Sequence, residues 1–414
     1  MKKLVTAIIV SLLAHLFALN LIAQDQGYIY GKITTFDNET YTGQIRWGKE
    51  EAFWTDMFDA SKIFNENTEY LSKEEFKDLA ERKVESWGRW KNGKNNEEMM
   101  AQVDFTHQLS CQFGEIKSLD MRRYKRVELT FRNGARFRVS GENYNDIGTE
   151  IRMYDPQKGE VELNWTEVVL IEFMSPPADF KSAIGTAIYG TVRTQQGDFS
   201  GFIQWDKDER MSSDKLDGRT KSGKKSIEFS DIALIEKWDK GANVKLHSGE
   251  EFYTYGTNDV NAENRGILIT NEEIGRVEID WSDFIEVSFS QQPEGSLKPY
   301  NQFKDPAALR GIVRTNSGKT LRGNIVFDLD EEFDFEMLNG EQGDSEYHIP
   351  FRNIKKIVPQ GKRQSTVILR SNHTIKLDSS QDVNSKNDGL LVFDDGKDPE
   401  YVSWKDLKEI EFTN

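Results

Sequence analysis

The chain has 414 residues, one cysteine and a formal net charge of −16 at pH 7, with a pI near 5.0. So acidic a surface repels phosphate backbones and argues against a nucleic-acid partner, and a lone Cys111 cannot form an intramolecular disulfide. With 30% charged residues and a mean hydropathy of −0.67, little is left for the lipid-facing band of a membrane barrel.

Residues 1–23 read as an export signal. Lys2 and Lys3 precede an apolar stretch from Leu4 to Ala23, and the polar Gln24-Asp25-Gln26 follows at once. An uncleaved anchor is the rival reading, because the stretch approaches the length of a spanning helix. Thr6, Ser11, His15 and Asn20 interrupt it and favour cleavage. The expected mature chain is soluble, has no integral membrane span, and is periplasmic or secreted.

Three segments then open alike, at Ile29-Tyr30-Gly31, Ile188-Tyr189-Gly190 and Leu309-Arg310-Gly311. Each passes a turn and reaches a glycine, an isoleucine and an aromatic: Gly43-Gln44-Ile45-Arg46-Trp47, Gly201-Phe202-Ile203-Gln204-Trp205 and Gly323-Asn324-Ile325-Val326-Phe327. They close alike at Trp165, Trp281 and Trp404, each followed by a last strand ending in Phe173, Phe289 or Phe412. The reading is three tandem repeats, over 24–174, 187–290 and 308–414. The first carries an insertion at about 70–110, where Ser72 and Glu75 form a capping-box pattern and Phe76, Leu79 and Val84 follow a helical stripe.

Each repeat divides again. Ile227-Glu228-Phe229-Ser230-Asp231-Ile232 sits midway in the second and Ile279-Asp280-Trp281-Ser282-Asp283-Phe284 at its end, and the third repeats the pair at Ile349 and Val402. Period-two alternation between Gly, Asn and Asp turns marks short antiparallel strands. The expected fold is therefore mainly β, with two successive half-repeats of roughly fifty residues in each copy. Strand, glycine turn, strand beginning Gly-x-Ile, then a short turn into a last strand resembles the Sm-like and SH3-like small barrels. That resemblance implies a pair of small closed barrels per repeat. It does not imply RNA binding, because the basic and polar residues with which Sm-like rings hold RNA are missing. Proline-bearing stretches near Pro176-Pro177 and from Pro293 to Pro306 read as extended linkers.

Residues that could carry chemistry are few. The acidic loops Asp206-Lys207-Asp208-Glu209 and Asp328-Leu329-Asp330-Glu331-Glu332 present alternating carboxylates, and Asp206, Asp208, Asp328, Asp330 and Glu332 form a candidate calcium set. The twelve-residue calcium loop with its central glycine is absent, so solvated loops and no cofactor are the simpler expectation. Asp231, Asp283, Asn353 and Asp406 recur in closing turns, as do Asn145-Asp146, Asn258-Asp259 and Gln381-Asp382, which fits carboxylates that accept backbone hydrogen bonds. Trp165, Trp281 and Trp404 read as core. Phe53, Trp54, Trp87 and Trp90 lie in or beside the first repeat's insertion without counterparts, and form a partner-binding patch if exposed.

His107, His247, His348 and His373 are scattered with no zinc-ligand spacing, and Cys111 has no base beside it. No catalytic residue is assigned. The expectation is an exported, non-catalytic binding or scaffold protein of the cell envelope that engages a protein or a polysaccharide. The alternatives are a carboxylate-dependent carbohydrate-active enzyme and a calcium-stabilised structural protein.

Overall fold

A computed structural model describes residues 26–86, 103, 105–123, 126–142, 144–394 and 398–413. The export signal expected at 1–23 lies outside the described residues, as do Trp87 and Trp90. The described chain is mainly β, and its strands form a 10-stranded and a 20-stranded sheet with antiparallel ladders. Among the described residues, no helix is long and apolar enough to cross a membrane.

The first sheet is built from β1 (Tyr30–Thr35), β2 (Thr40–Trp47), β3 (Met57–Lys62), β4 (Gln108–Gln112) and β5 (Ile116–Arg123). It is completed by β6 (Arg126–Phe131), β7 (Arg136–Ser140), β8 (Ile151–Asp155), β9 (Gly159–Leu163) and β10 (Val168–Phe173). Their spatial order is β4-β3-β7-β6-β5-β10-β1-β2-β8-β9. Alternation explains the strands: in β6, Val127, Leu129 and Phe131 are buried and the residues between them are less so. The ten strands from Tyr189–Thr194 to Phe284–Phe289 pair in the same order. So do the ten from Arg310–Thr315 to Leu407–Phe412.

The closed barrels expected from the sequence are not found among the described residues; the ladders are open. The reason lies at β10. One edge of this strand pairs with β1 (Ile33↔Ile171) and the other with β5 (Leu119↔Ile171). An edge that would otherwise need covering is thus satisfied by the other half of the same ladder. Nor do the halves follow one another. Strands β3 to β7 are inserted between β2 and β8, so one five-stranded half nests inside the other. In both halves a 3₁₀ turn leads into the last strand, Phe113–Glu115 before β5 and Trp165–Glu167 before β10.

The insertion contains helix α1 (Lys73–Ser86). Its capping box is formed: the Ser72 amide donates to Glu75 Oε2 at 2.8 Å and the Glu75 amide to Ser72 Oγ at 3.3 Å. Leu79 and Val84 are buried, and Phe76, 37% exposed at the edge of the stripe, packs on Phe105 with ring centroids 5.6 Å apart. Leu79 packs with Phe105, Val326, Leu329 and Leu391, which docks the insertion on the last third of the chain.

The core repeats one aromatic motif. Trp47 meets Trp165, Trp205 meets Trp281 and Phe327 meets Trp404, with ring centroids 5.9, 6.3 and 6.1 Å apart and edge-to-face geometry each time. The residues between the second and third ladders are no bare spacer. Leu297, Tyr300 and Phe303 are buried, and Tyr300 packs on Trp54 at 4.5 Å while its hydroxyl donates to the Ile116 carbonyl at 2.9 Å. This strap fastens onto the core of the first third. The second and third ladders join edge to edge, through Gly275–Ile279 and Ser345–Pro350, with Arg276 opposite His348 and Glu278 opposite Glu346.

Candidate functional site

After the second strand of each ladder the chain folds back on itself, in bridges Trp47↔Glu51, Trp205↔Glu209 and Phe327↔Glu331. The tight reversal requires left-handed backbone, supplied by Gly48 at φ 57°, by Asp206 and Lys207 at 51° and 62°, and by Asp328 and Leu329 at 49° and 57°. Each reversal brings its glutamate near one aspartate, pairing Glu51 with Asp146, Glu209 with Asp259 and Glu331 with Asp382.

The three aspartates do accept backbone hydrogen bonds, as their recurrence suggested, but from a distant strand rather than the next residues. Asp59, Asp217 and Asn339 donate their amides to Asp146, Asp259 and Asp382 at 2.5, 2.6 and 2.7 Å. The Trp47 and Trp205 indoles donate to the carbonyls of Asp146 and Asp259, both at 2.9 Å. Burial first, and neighbouring carboxylates second, push the glutamates up: Glu209 to about 9, Glu51 and Glu331 well above the usual range. Burial also raises Asp259 and Asp382, each to about 6. Glu209, so raised, keeps its proton near neutral pH.

The five carboxylates of the candidate calcium set are met by the chain's own donors. Arg265 Nη2 lies 3.1 Å from Asp206 and 2.7 Å from Asp208. Asp328, fully buried, accepts from Gln381 at 2.9 Å and from the Asp388 amide, and faces His107 at 3.6 Å. Asp330 faces Lys62 at 2.8 Å, and Glu332 accepts from Asn67 at 2.9 Å. Phe53 and Trp54 are fully buried, so neither belongs to an exposed patch: Phe53 stacks toward Phe202, and Trp54 meets Phe173 edge to face and Tyr300 at a tilt.

A cavity of about 330 Å³ opens where the three ladders meet. Six carboxylates line it, from Glu50, Glu51, Asp59, Asp146, Glu278 and Glu346, against two cationic side chains, Lys207 and Arg276. Arg276 Nη1 binds Asp59 at 2.9 Å. Burial would raise Asp59, but Arg276 and the Ser110 hydroxyl more than offset it and hold the carboxyl below its usual range. His348, on the same wall, is buried, and burial together with Arg276 lowers it to about 3. A second cavity, about 260 Å³, is lined by Phe202, Phe335 and Met337 together with Lys298, and holds the Arg352–Glu115 ion pair at 2.9 Å.

Three groups among the described residues have metal-ligand types within reach of one another: His107 with Asp330 and Glu331, Glu50 with Glu51 and Asp146, and His348 with Glu278 and Glu346. None was legible as a motif, because each joins two near neighbours in sequence to a third residue from far along the chain. Also missed were Trp238, Tyr253 and Tyr255, exposed or half-exposed aromatics of the middle ladder. Their signal was available: the first and last thirds place no aromatic residues there.

No family model matches this sequence, and no curated protein or solved structure matches it either.

Proposed function

We propose that the chain is an exported, non-catalytic binding protein of the cell envelope, and that its middle ladder binds polysaccharide. The observation that carries this reading is a row across four adjacent strands, in which Arg219 pairs with Tyr255, Tyr255 with Gly241 and Gly241 with Trp238. Residues directly opposite one another on neighbouring strands project from the same face. Trp238 is 59% and Tyr255 39% exposed, and Tyr253 stacks on Tyr255 with ring centroids 5.8 Å apart. Gly241 is buried beneath the Tyr253 ring, whose hydroxyl would stand 2.9 Å from a Cβ at that position. At the position of Tyr255 the other two ladders end in Ser140 and Asp378, so the fold itself does not demand aromatics there. Rigid rings with one polar edge suit the apolar faces and hydroxyls of sugars.

Three tandem copies of a paired SH3-like unit complete the reading. In each outer half the last strand pairs with the first, as β10 does with β1, and a 3₁₀ turn precedes that last strand in the first and third ladders, an ordinary hydrogen-bonded turn in the second. The inner half has the same pairing when read from β6, as β6-β7-β3-β4-β5, a circular permutation of the outer half. A non-catalytic role is supported by the paired carboxylates. They recur in all three ladders, and one acid of each pair is engaged by a backbone amide, whereas catalysis would use acids peculiar to one copy. Export rests on residues 1–23.

The test is affinity electrophoresis of the mature chain through gels containing defined envelope polysaccharides, with localisation and N-terminal sequencing of the protein from cells. Retardation that disappears in Trp238→Ala and Tyr255→Ala, with an N-terminus near Gln24, is the expected result. Equal migration of all three proteins in every gel, release of new reducing ends, or a cytoplasmic protein that keeps Met1 would overturn it.

A further inference from the structure

His348 is placed as a metal ligand is placed. It lies on the seam strand Ser345–Pro350, 3% exposed, and its Nδ1 stands 2.8 Å from Asn339 Oδ1. An amide oxygen only accepts, so the ring proton sits on Nδ1 and Nε2 carries the bare lone pair. A hydrogen bond from the far ring nitrogen to an oxygen is what fixes the tautomer of a metal-binding histidine. Nε2 has no hydrogen-bond partner among the described residues, and it faces Glu346 Oε1 at 3.6 Å. A buried lone pair aimed at a carboxylate is unfavourable unless a proton or a metal cation lies between them, and 3.6 Å is too long for a shared proton.

The carboxylates point the same way. Glu278 and Glu346 are directly opposite across the ladder, an arrangement that destabilises a sheet when both are charged. Lys207 binds Oε1 of Glu278, which leaves the second oxygen of that carboxylate for another cation. The ligand atoms of Glu278, Glu346 and His348 all lie within 4.8 Å of one another. Bonds of about 2.0–2.1 Å in a tetrahedral site put neighbouring ligands about 3.3 Å apart, close to the spacing of His348 and Glu346 and within a small side-chain adjustment for Glu278. The cavity's surplus of carboxylates over cations favours a divalent ion as well.

The other two groups lack this combination. His107 lies between Asp328 and Asp388, at 3.6 and 3.4 Å, where burial lowers its pKa but the carboxylates more than offset that and raise it to about 9, so it is itself the cation. Glu50, Glu51 and Asp146 offer only oxygens, and Asp146 is engaged by the Asp59 amide.

We propose that His348 Nε2, Glu346 and Glu278 bind one first-row divalent transition cation of the zinc type at the seam between the second and third ladders. One imidazole nitrogen with two carboxylates selects such ions over calcium or magnesium, which take oxygen ligands alone.

The test is isothermal titration of the chelator-treated full chain with zinc and, separately, with calcium, repeated on Glu346→Gln and His348→Gln. Zinc is expected to bind the unaltered chain at one site and to bind each variant at least about tenfold more weakly, with no calcium binding at that site. Cobalt substitution should give visible absorption bands that both variants lose. Glu346 is partly exposed, so Glu346→Gln keeps the test intact if His348→Gln fails to fold. Zinc binding of unchanged affinity in Glu346→Gln, or no zinc binding by the unaltered chain, overturns the proposal. Polysaccharide retardation is read independently of both results.

Discussion

Arg210 and Asp56 form a fully buried ion pair, 2.7 Å apart, although 154 residues separate them in the chain. Asp56 Oδ2 also accepts the amides of Ala52 and Phe53, closing the turn before β3. The same device occurs twice more. Asp214 accepts the amides of Arg210 and Met211 and receives Arg46 at 2.9 Å; Glu336 accepts those of Glu332 and Phe333 and receives Lys62 at 2.6 Å. In each case the carboxylate that fixes a local turn also takes a cation from another third of the chain. Turn geometry and the docking of the thirds are thereby coupled.

Breaking such a pair leaves a buried charge without its partner, which costs about 3–5 kcal/mol. Arg210→Met should therefore lower unfolding stability by that amount, and Lys62→Met similarly through Glu336 and Asp330. Urea titrations followed by tryptophan fluorescence would measure both. Losses under about 1 kcal/mol would mean that the pairs do not hold the thirds together.

The His107 site makes stability fall with alkali. His107 is raised from 6.5 to about 9 by Asp328, Asp388 and Asp330, with Asp382 and Glu331 nearby and Lys83 on Asp388 at 2.6 Å. A group whose folded pKa is raised gives its full stabilisation below the unfolded value and loses it as pH rises through the folded one. Stability should thus decline between about pH 6.5 and 9, by about 3 kcal/mol from this group. Glu209, also raised to about 9, contributes a decline of the same sign. Melting curves across that window should be visibly flatter for His107→Gln than for the parent chain.

Gly241 tests the aromatic row from the backbone side. A Cβ at this position would stand 2.2 Å from the Thr254 carbonyl oxygen and 2.9 Å from the Tyr253 hydroxyl. Gly241→Ala should displace the Tyr253 strand, cost about 1–3 kcal/mol and weaken polysaccharide retardation. A variant with parental stability and parental retardation would contradict that packing.

Tyr300 holds the strap between the second and third ladders. Tyr300→Phe removes one hydrogen bond, to Ile116, and should cost about 1 kcal/mol. Tyr300→Ala also empties the space beside Trp54 and under Arg132, which lies 4.6 Å from the ring, and should cost about 3–5 kcal/mol. Limited proteolysis is the readout: cleavage within residues 290–308 should quicken in the alanine variant and hardly change in the phenylalanine one.

Cys111 is fully buried in β4, and burial raises its thiol well above the usual range. A disulfide reagent should leave it untouched in the native chain and label one thiol per chain once urea unfolds the protein. Rapid labelling without denaturant would show that β4 opens locally.

Much of the fold was legible because it depends on neighbours in sequence. Alternation in β6, the turn residues around each hairpin, the Ser72–Glu75 cap of α1 and the recurring tryptophans are set by periods of two and four residues and by side chains that bond their own backbone. The acidic loops were legible only as loops. Nothing near Asp206 in sequence announces Arg265, and nothing near Asp328 announces His107, because those cations arrive from distant strands. For the same reason Phe53 and Trp54 looked available to a partner until the middle third and the Tyr300 strap covered them.

The sequence by itself determined the β character, the three similar segments, the capped helix and most aromatic core positions, since these follow from local periodicity and hydropathy. The tertiary structure alone decided that the halves nest, that the ladders stay open through the β5–β10 pairing, and that Arg276, Glu278, Glu346 and His348 meet across one seam. Those outcomes depend on which strand edges find one another and which charges are buried together. Such free energies exist only once segments more than a hundred residues apart have come into contact.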